Sequence, residues 1–315
     1  MKQEERRMRA FVFPGQGAQV IGMGRELAEA YPAARDVFAE VDEALGEKLS
    51  DLVWNGDIET LTLTQNAQPA LMATSMAAFR ALEAEGFGIK DADFVAGHSL
   101  GEYSALCAAG ALGLSDTARL LRLRGAAMQE AVPVGQGAMA AILGLDFATV
   151  EQIARDAAEG EVCQAANDND PAQVVISGHK AAVERSAVLA KERGAKRALM
   201  LPVSAPFHSA LMQPAAAAMA EALAAVEIAA PAVPLVANVR AEPVADPGVI
   251  RRLLVEQVTG SVRWRESVAF MAGAGVTEFW EIGAGKALSG MIKRISKDAV
   301  TRNIGSPADI AALKA

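Results

Sequence analysis

Two stretches of this chain follow one pattern: a short apolar run, a glycine turn, then a helical segment. Residues 10–13 form the first run, Pro14 and Gly15 end it, and helical periodicity begins near Met23. Residues 94–96 form the second run; the glycine-flanked Ser99 follows, and the chain then turns helical. A buried strand that leaves through a tight turn into a helix is the unit of a parallel sheet covered by helices. The pattern therefore predicts an α/β fold. A further helix is expected over 69–85, with Pro69 at its first position and Gly86 just past its end, the usual asymmetry of helix ends.

Between 138 and 203 the rhythm changes. AMAAILG, FATVEQIARDAA, VCQAAN, QVVISG, AAVERSAVLAKERG and KRALMLPV read as strand, helix, strand, strand, helix, strand. That βαββαβ order predicts a ferredoxin-like unit. It reads as an inserted subdomain, residues 135–203, within a large α/β subdomain made of 1–134 and 204–315. The large part resumes with a helix after His208 and the strands PLVANV and VTEFWEIG.

Composition narrows the functions such a fold could serve. With 315 residues, 52% of them hydrophobic, the chain can bury a large core. A net charge of −8 argues against a general nucleic-acid binder, whose footprint would be basic. Cys107 and Cys163 lie far apart without CxxC spacing, as expected of reduced thiols in a reducing compartment. The opening MKQEERRMRA has mixed charge and no apolar signal-peptide core, and no apolar run is long enough for a bilayer. The expectation is a cytoplasmic protein.

In FVAGHSLGE, Ser99 stands in a Gly-x-Ser-x-Gly between strand and helix. This spacing suits a nucleophile elbow, where small flanking residues permit a sharp turn that exposes the hydroxyl. The helix N-terminus beneath it offers free N–H groups to an oxyanion. Ser99 and Glu102 also match a capping box, although a cap does not require glycine on both sides.

A serine nucleophile needs a proton acceptor, and the chain has three histidines. His98 adjoins the serine and is expected to point elsewhere. His179, between a strand and a helix, reads as solvated. His208, in the proline-flanked LPVSAPFHSALM, is left as the general base, or else as a structural residue of that loop. No acidic third member stands out: Asp146, Asp156, Asp168, Asp170 and Asp246 all read as loop or surface residues.

In the helix TARLLRLRGAAMQ, the residues Leu120, Leu121, Leu123, Ala127 and Met128 form an apolar arc that includes Arg124. Arg119 and Arg122 fall outside it and read as solvated. Arg124 could complement the helix end, snorkel to solvent, or hold an anion, its fork suiting a carboxylate. FVFPGQGAQVIGMG fails the dinucleotide pattern, because Val20 stands where the third glycine belongs. It remains a plain turn, or one that brings Gln16 and backbone N–H groups to the sheet's carboxyl edge.

Together these residues resemble malonyl-CoA:acyl carrier protein transacylase and the related acyltransferase domains of fatty acid and polyketide synthases. The likeness runs through FPGQGAQ (13–19), TQNAQPAL (64–71), GHSLGEYSAL (97–106), RLRGAAMQEAVP (122–133), PFHSALM (206–212), PLVANV (234–239), VRW (262–264) and EIGAGKALSGMIKR (281–294). It implies an α/β-hydrolase-like large subdomain with a mostly parallel sheet, plus the ferredoxin-like insert. It further implies Ser99 as nucleophile, His208 as its base and acid, and Arg124 as clamp for the malonyl carboxylate. The backbone amides of Gln16 and Leu100 would form the oxyanion hole, and the main-chain carbonyl of Gln257 would orient the histidine. Malonyl would pass from CoA to Ser99 and then to the phosphopantetheine thiol of acyl carrier protein. The implied enzyme is monomeric, needs no cofactor or metal, and binds neither nucleic acid nor membrane.

Ala18 and Ala284 depart from the serine and proline of many members. Phe207, as in malonyl-selective synthase domains, implies a filled pocket that favours malonyl over methylmalonyl, which leaves fatty acid and polyketide synthesis both open. Two other readings compete: a serine hydrolase, and a non-catalytic acyl-thioester binding module in which Ser99 only caps. A hydrolase has little reason to hold Arg124 in an apolar arc. Carrier docking would fall on Lys191, Arg193, Lys196 and Arg197, or on Lys286, Lys293 and Arg294, unless these are ordinary solvated surface.

Overall fold

The computed structural model describes residues 7–203 and 205–314. The charged stretch 1–6, read above as part of a segment unlike a signal peptide, lies outside the described residues, as do Ser204 and Ala315. In chain order, the elements of the first part that position the site are β1 (Met8–Phe13), α1 (Thr64–Ala84), β2 (Phe94–Gly97), α2 (Gly101–Ala108) and α3 (Leu114–Glu130). Next come β3 (Gly137–Leu143), α4 (Phe147–Ala158), β4 (Cys163–Asp170), β5 (Gln173–His179), α5 (Lys180–Glu192) and β6 (Arg197–Met200). The chain continues through β7 (Leu235–Val236), β8 (Pro243–Val244), α6 (Pro247–Thr259), α7 (Trp264–Gly273), β9 (Val276–Ile282), α8 (Ala287–Ile295) and β10 (Val300–Ile304).

Six strands form the larger sheet in the order β10-β9-β1-β2-β7-β8. All neighbours are parallel except the β7–β8 pair. In β1, Phe11, Val12 and Phe13 are fully buried, as expected for a strand covered on both faces. The sheet's order reverses around β1, so the loops after β1 and β2 emerge side by side at its carboxyl edge. Such a switch point is where open α/β sheets build sites.

The predicted βαββαβ unit forms a separate antiparallel sheet, β4-β5-β3-β6. Its own apolar core includes Ile142 of β3, Ile153 of α4 and Val183 of α5. Strand β4 is also its seam with the rest of the chain. The Asp168 N–H donates to the Val262 carbonyl at 2.9 Å, and Asn167 bridges Val262 in parallel. Asp168 accepts a fork of hydrogen bonds from Arg265, and Asp170 accepts from Arg294 at 2.7 Å. Both aspartates are buried, which corrects their reading as loop or surface residues.

Two helices also differ from expectation. Helix α1 begins at Thr64, five residues before the predicted start, so Pro69 lies inside it while Gly86 does follow its C-cap Glu85. The proline forfeits one ladder hydrogen bond, and the helix tolerates this because its first turns are packed against α3. A Cβ at Gly125 would sit 2.5 Å from the Thr64 carbonyl oxygen. In α3, Leu123 is exposed and Ala127 half-buried, so the apolar arc is narrower than predicted. Arg122 is half-buried rather than solvated and bonds to Asn66 and Glu47. No helix among the described residues is long and apolar enough to cross a membrane.

Candidate active site

Ser99 stands between β2 and α2 with a left-handed backbone, φ 53°. That region is costly for any residue with a side chain, and the turn is held from several sides. A Cβ at Gly97 would lie 1.9 Å from the carbonyl carbon of Gly101, and one at Gly101 would lie 2.2 Å from the Phe13 oxygen. Only glycine lets these backbones meet. Asn238, beyond β7, accepts from the Ser99 N–H at 2.9 Å and donates to the Gly97 carbonyl at 2.7 Å.

The capping box does not form. Leu100 is the N-cap of α2 and makes no side-chain cap bond. The Ser99 hydroxyl turns into the cleft, and the Glu102 carboxylate turns inward to accept from Gln257 and from the Asn238 N–H. The left-handed turn aims the serine away from the amides it would otherwise cap.

Ser99 Oγ and His208 Nε2 are 2.7 Å apart. His208 Nδ1 lies 2.8 Å from the main-chain carbonyl of Gln257, at the start of the last turn of α6. A carbonyl can only accept, so Nδ1 carries the ring proton and Nε2 is free to take the serine proton. Burial, then the nearby Arg124 cation, pushes the imidazole down to about 3. The ring is therefore neutral at physiological pH, the form a base requires.

None of the acidic candidates meets this histidine. Asp146 and Asp246 cap helices, Asp156 pairs with Arg193, and Asp168 and Asp170 belong to the seam. His98 does point elsewhere, its Nε2 standing 2.8 Å from the Asn169 side-chain oxygen. His179 is not freely solvated, since its Nδ1 accepts from the Val162 N–H at 2.9 Å.

Arg124 lies mid-helix in α3 and is 1% exposed, which removes both the helix-end and the snorkelling readings. Its guanidinium donates to Gln68 Oε1 at 2.7 Å, Gln257 Oε1 at 2.8 Å and Ser99 Oγ at 3.1 Å. Two neutral amides and a hydroxyl do not neutralise it. Glu102 supplies a carboxyl nearby, but burial pushes that group up to about 7. A cation so placed beside a hydroxyl–imidazole pair suits an anionic ligand.

Ser99, His208 and Arg124 open into a cavity of about 670 Å³, also lined by Gln16, Leu100 and Phe207. All the predicted lining residues thus meet there, and Gln257 stands behind, fully buried. The glycine loop after β1 closes against the elbow: a Cβ at Gly15 would lie 2.6 Å from the His98 carbonyl oxygen.

The family model described as an acyl transferase domain matches residues 10–304. The chain belongs to this acyl transferase family. The malonyl CoA-acyl carrier protein transacylase of Bacillus subtilis (strain 168) is 50% identical over 302 residues, 96% of this chain and 94% of that protein. The crystal structure of acyl-carrier-protein-S-malonyltransferase from Bartonella henselae is 57% identical, with a TM-score of 0.95 over 97% of this chain and 98% of that one. A malonyl-transacylase in complex with its type II PKS acyl-carrier protein is 43% identical, with a TM-score of 0.94 over 97% and 98% of the two chains.

In this acyltransferase the site also includes residues that the sequence alone did not single out. Gln68 and Asn238 lie inside TQNAQPAL and PLVANV, but nothing in those runs marks them as partners of Arg124 and Ser99. Glu102 was assigned to a cap. Its real partner, the Gln257 side chain, lies 155 residues away.

Proposed function

We propose that this acyltransferase moves the malonyl group of malonyl-CoA to the phosphopantetheine thiol of acyl carrier protein, through a malonyl-serine at Ser99. The observation that carries the reading is the buried Arg124 guanidinium 3.1 Å from a serine that is hydrogen-bonded to a neutral histidine. Serine and histidine alone fit any acyl transfer. The arginine selects an acyl group that ends in a carboxylate.

In the first half-reaction Ser99 Oγ attacks the thioester carbonyl and His208 Nε2 takes its proton. The resulting oxyanion lies toward the N–H groups of Leu100 and Gln16, each such donor contributing roughly 3 kcal/mol. The carbonyl reforms, the C–S bond breaks, and His208 returns the proton to the leaving CoA sulfur. In the second half the carrier thiol gives its proton to His208 and attacks the malonyl ester. Ser99 leaves with that proton. The main-chain carbonyl of Gln257 keeps the imidazole aligned throughout, and every proton transfer uses groups of this chain, with no cofactor.

Phe207 fills the pocket beside the acyl chain and favours malonyl over its methyl-branched homologue by about 1–3 kcal/mol. The reading takes the protein as a cytoplasmic monomer that supplies extender units for fatty acid biosynthesis. A stand-alone polyketide acyltransferase is the second reading, supported by the likeness to the transacylase in complex with a type II PKS carrier.

Acid-quenched intact-mass analysis with peptide mapping, after mixing with malonyl-CoA, tests the function. A malonyl adduct on Ser99 that discharges onto carrier protein is the expected result. An adduct lost only to water makes the protein a hydrolase, and no adduct at all overturns both enzymatic readings.

A further inference from the structure

We infer that Glu102 is a positioning residue of the carboxylate clamp: it sets the side-chain amide of Gln257 so that the amide oxygen faces Arg124. The inference rests on the reading of Arg124 as that clamp.

An amide has a donor end and an acceptor end, and its neighbours decide which way it points. Around Gln257 Nε2 stand three acceptors: the Glu102 carboxylate at 2.6 Å, the Ser99 carbonyl at 2.9 Å and the Asn238 side-chain oxygen at 3.4 Å. At the other end, Oε1 accepts from Arg124 Nη2 at 2.8 Å. The reversed amide would oppose N–H to guanidinium and oxygen to carboxylate. Glu102 is the closest of the three acceptors and the one among them that can ionise, so it holds the orientation most strongly. The Ser99 carbonyl and the Asn238 side chain belong to the elbow, whereas Glu102 does not line the cavity and touches the elbow through a longer contact, 3.4 Å, from the Asn238 N–H.

Glu102 and Gln257 are both buried. The second carboxylate oxygen of Glu102 has no hydrogen-bond partner among the described residues. Leaving that buried oxygen unpaired carries a desolvation cost, which an apolar side chain at position 102 would avoid. A carboxylate kept there in spite of that cost points to its effect on the clamp. Gln257 separates two duties: its main-chain carbonyl holds His208, while its side chain, under the control of Glu102, holds Arg124. Disturbing Glu102 therefore perturbs recognition of the acyl carboxylate and leaves the proton relay in place.

The test compares loading of malonyl and acetyl groups from CoA onto wild-type protein and Glu102→Gln, which keeps the size and removes the charge. Malonyl loading is expected to fall roughly tenfold or more, the worth of a hydrogen bond to a charged group, while acetyl loading changes far less. In an Arg124→Ala background, Glu102→Gln should no longer alter malonyl loading. Parallel loss of malonyl and acetyl loading, or an unchanged ratio, overturns the inference. If Glu102→Gln does not fold, as judged by thermal melting, Gln257→Met probes the same link while retaining the carbonyl behind His208, and the same two outcomes decide. Absence of a malonyl adduct on the wild type would instead overturn the functional reading itself.

Discussion

Arg124 donates a hydrogen bond to the hydroxyl of Ser99 across 3.1 Å, although 25 residues separate them in sequence. The same hydroxyl faces His208 Nε2, so it is held between a cation and an imidazole. In the proposed reaction, a carboxylate entering the cavity competes with Ser99 for the guanidinium and frees the hydroxyl to attack. Arg124→Ala is therefore expected to slow malonyl loading by roughly 10- to 100-fold, the range for a charged hydrogen bond, and acetyl loading much less. Arg124→Lys should restore little, because a point-like ammonium cannot span Gln68, Gln257 and a carboxylate together. Rapid-quench loading with both thioesters measures this, and equal losses would count against the clamp.

The elbow leaves no room at its flanks. Gly97→Ala drives a methyl group into the Gly101 backbone, where the three nearest atoms are all main chain and cannot swing aside. A loss of about 3 kcal/mol or more is expected, at the upper end for overpacking. Chemical denaturation of the variant checks it, and a stability near wild type would mean that the β2–α2 turn can relax.

Glu102 makes a pH signature. Burial raises its folded-state value to about 7, above the range of about 4.3 for an unfolded glutamate. The folded protein therefore binds this proton more tightly, and the resulting stability is full at acid pH and lost as pH climbs through neutrality. The hydrogen bonds from Gln257 and Asn238 and the Arg124 cation oppose this shift without cancelling it. Glu102→Gln has no such titration, so its stability relative to wild type should improve from pH 5 to pH 8 by on the order of 3 kcal/mol. Melting curves at the two pH values decide, and a difference independent of pH would place the proton elsewhere.

Carrier docking should depend on the two basic clusters. The first surrounds the start of β6, which leads toward Leu201 and Val203 of the cavity lining, and Lys286 of the second precedes Leu288 and Met291 of that lining. Arg193 and Arg294 are committed to Asp156 and Asp170, which leaves Lys191, Lys196, Arg197, Lys286 and Lys293 as the test set. Reversing them should raise the KM for an acidic carrier and flatten its salt dependence. Transfer kinetics that keep their salt dependence would exclude this surface.

Much of this architecture was legible because it is written in local periodicity. The order of strands and helices from 137 to 200 follows from alternation and turn residues alone. Arg124 was visible because a charge inside an apolar arc is an anomaly in any helix. What could not be seen depends on contacts between distant segments. Pro69 looked like a helix start because nothing local reveals that α3 packs along the preceding turn. Asp168 and Asp170 looked exposed because their arginines come about a hundred residues later. Glu102 fitted a local cap so well that its distant partner had no sequence signal. A short-range rule had already accounted for the residue.

The left-handed backbone of Ser99 sets durability against activity at one position. Glycine is the residue best suited to φ 53°, so Ser99→Gly should melt higher than Ser99→Ala. The residue at the centre of the proposed chemistry is thus one that selection for robustness alone would discard. Its persistence there records what the turn is for.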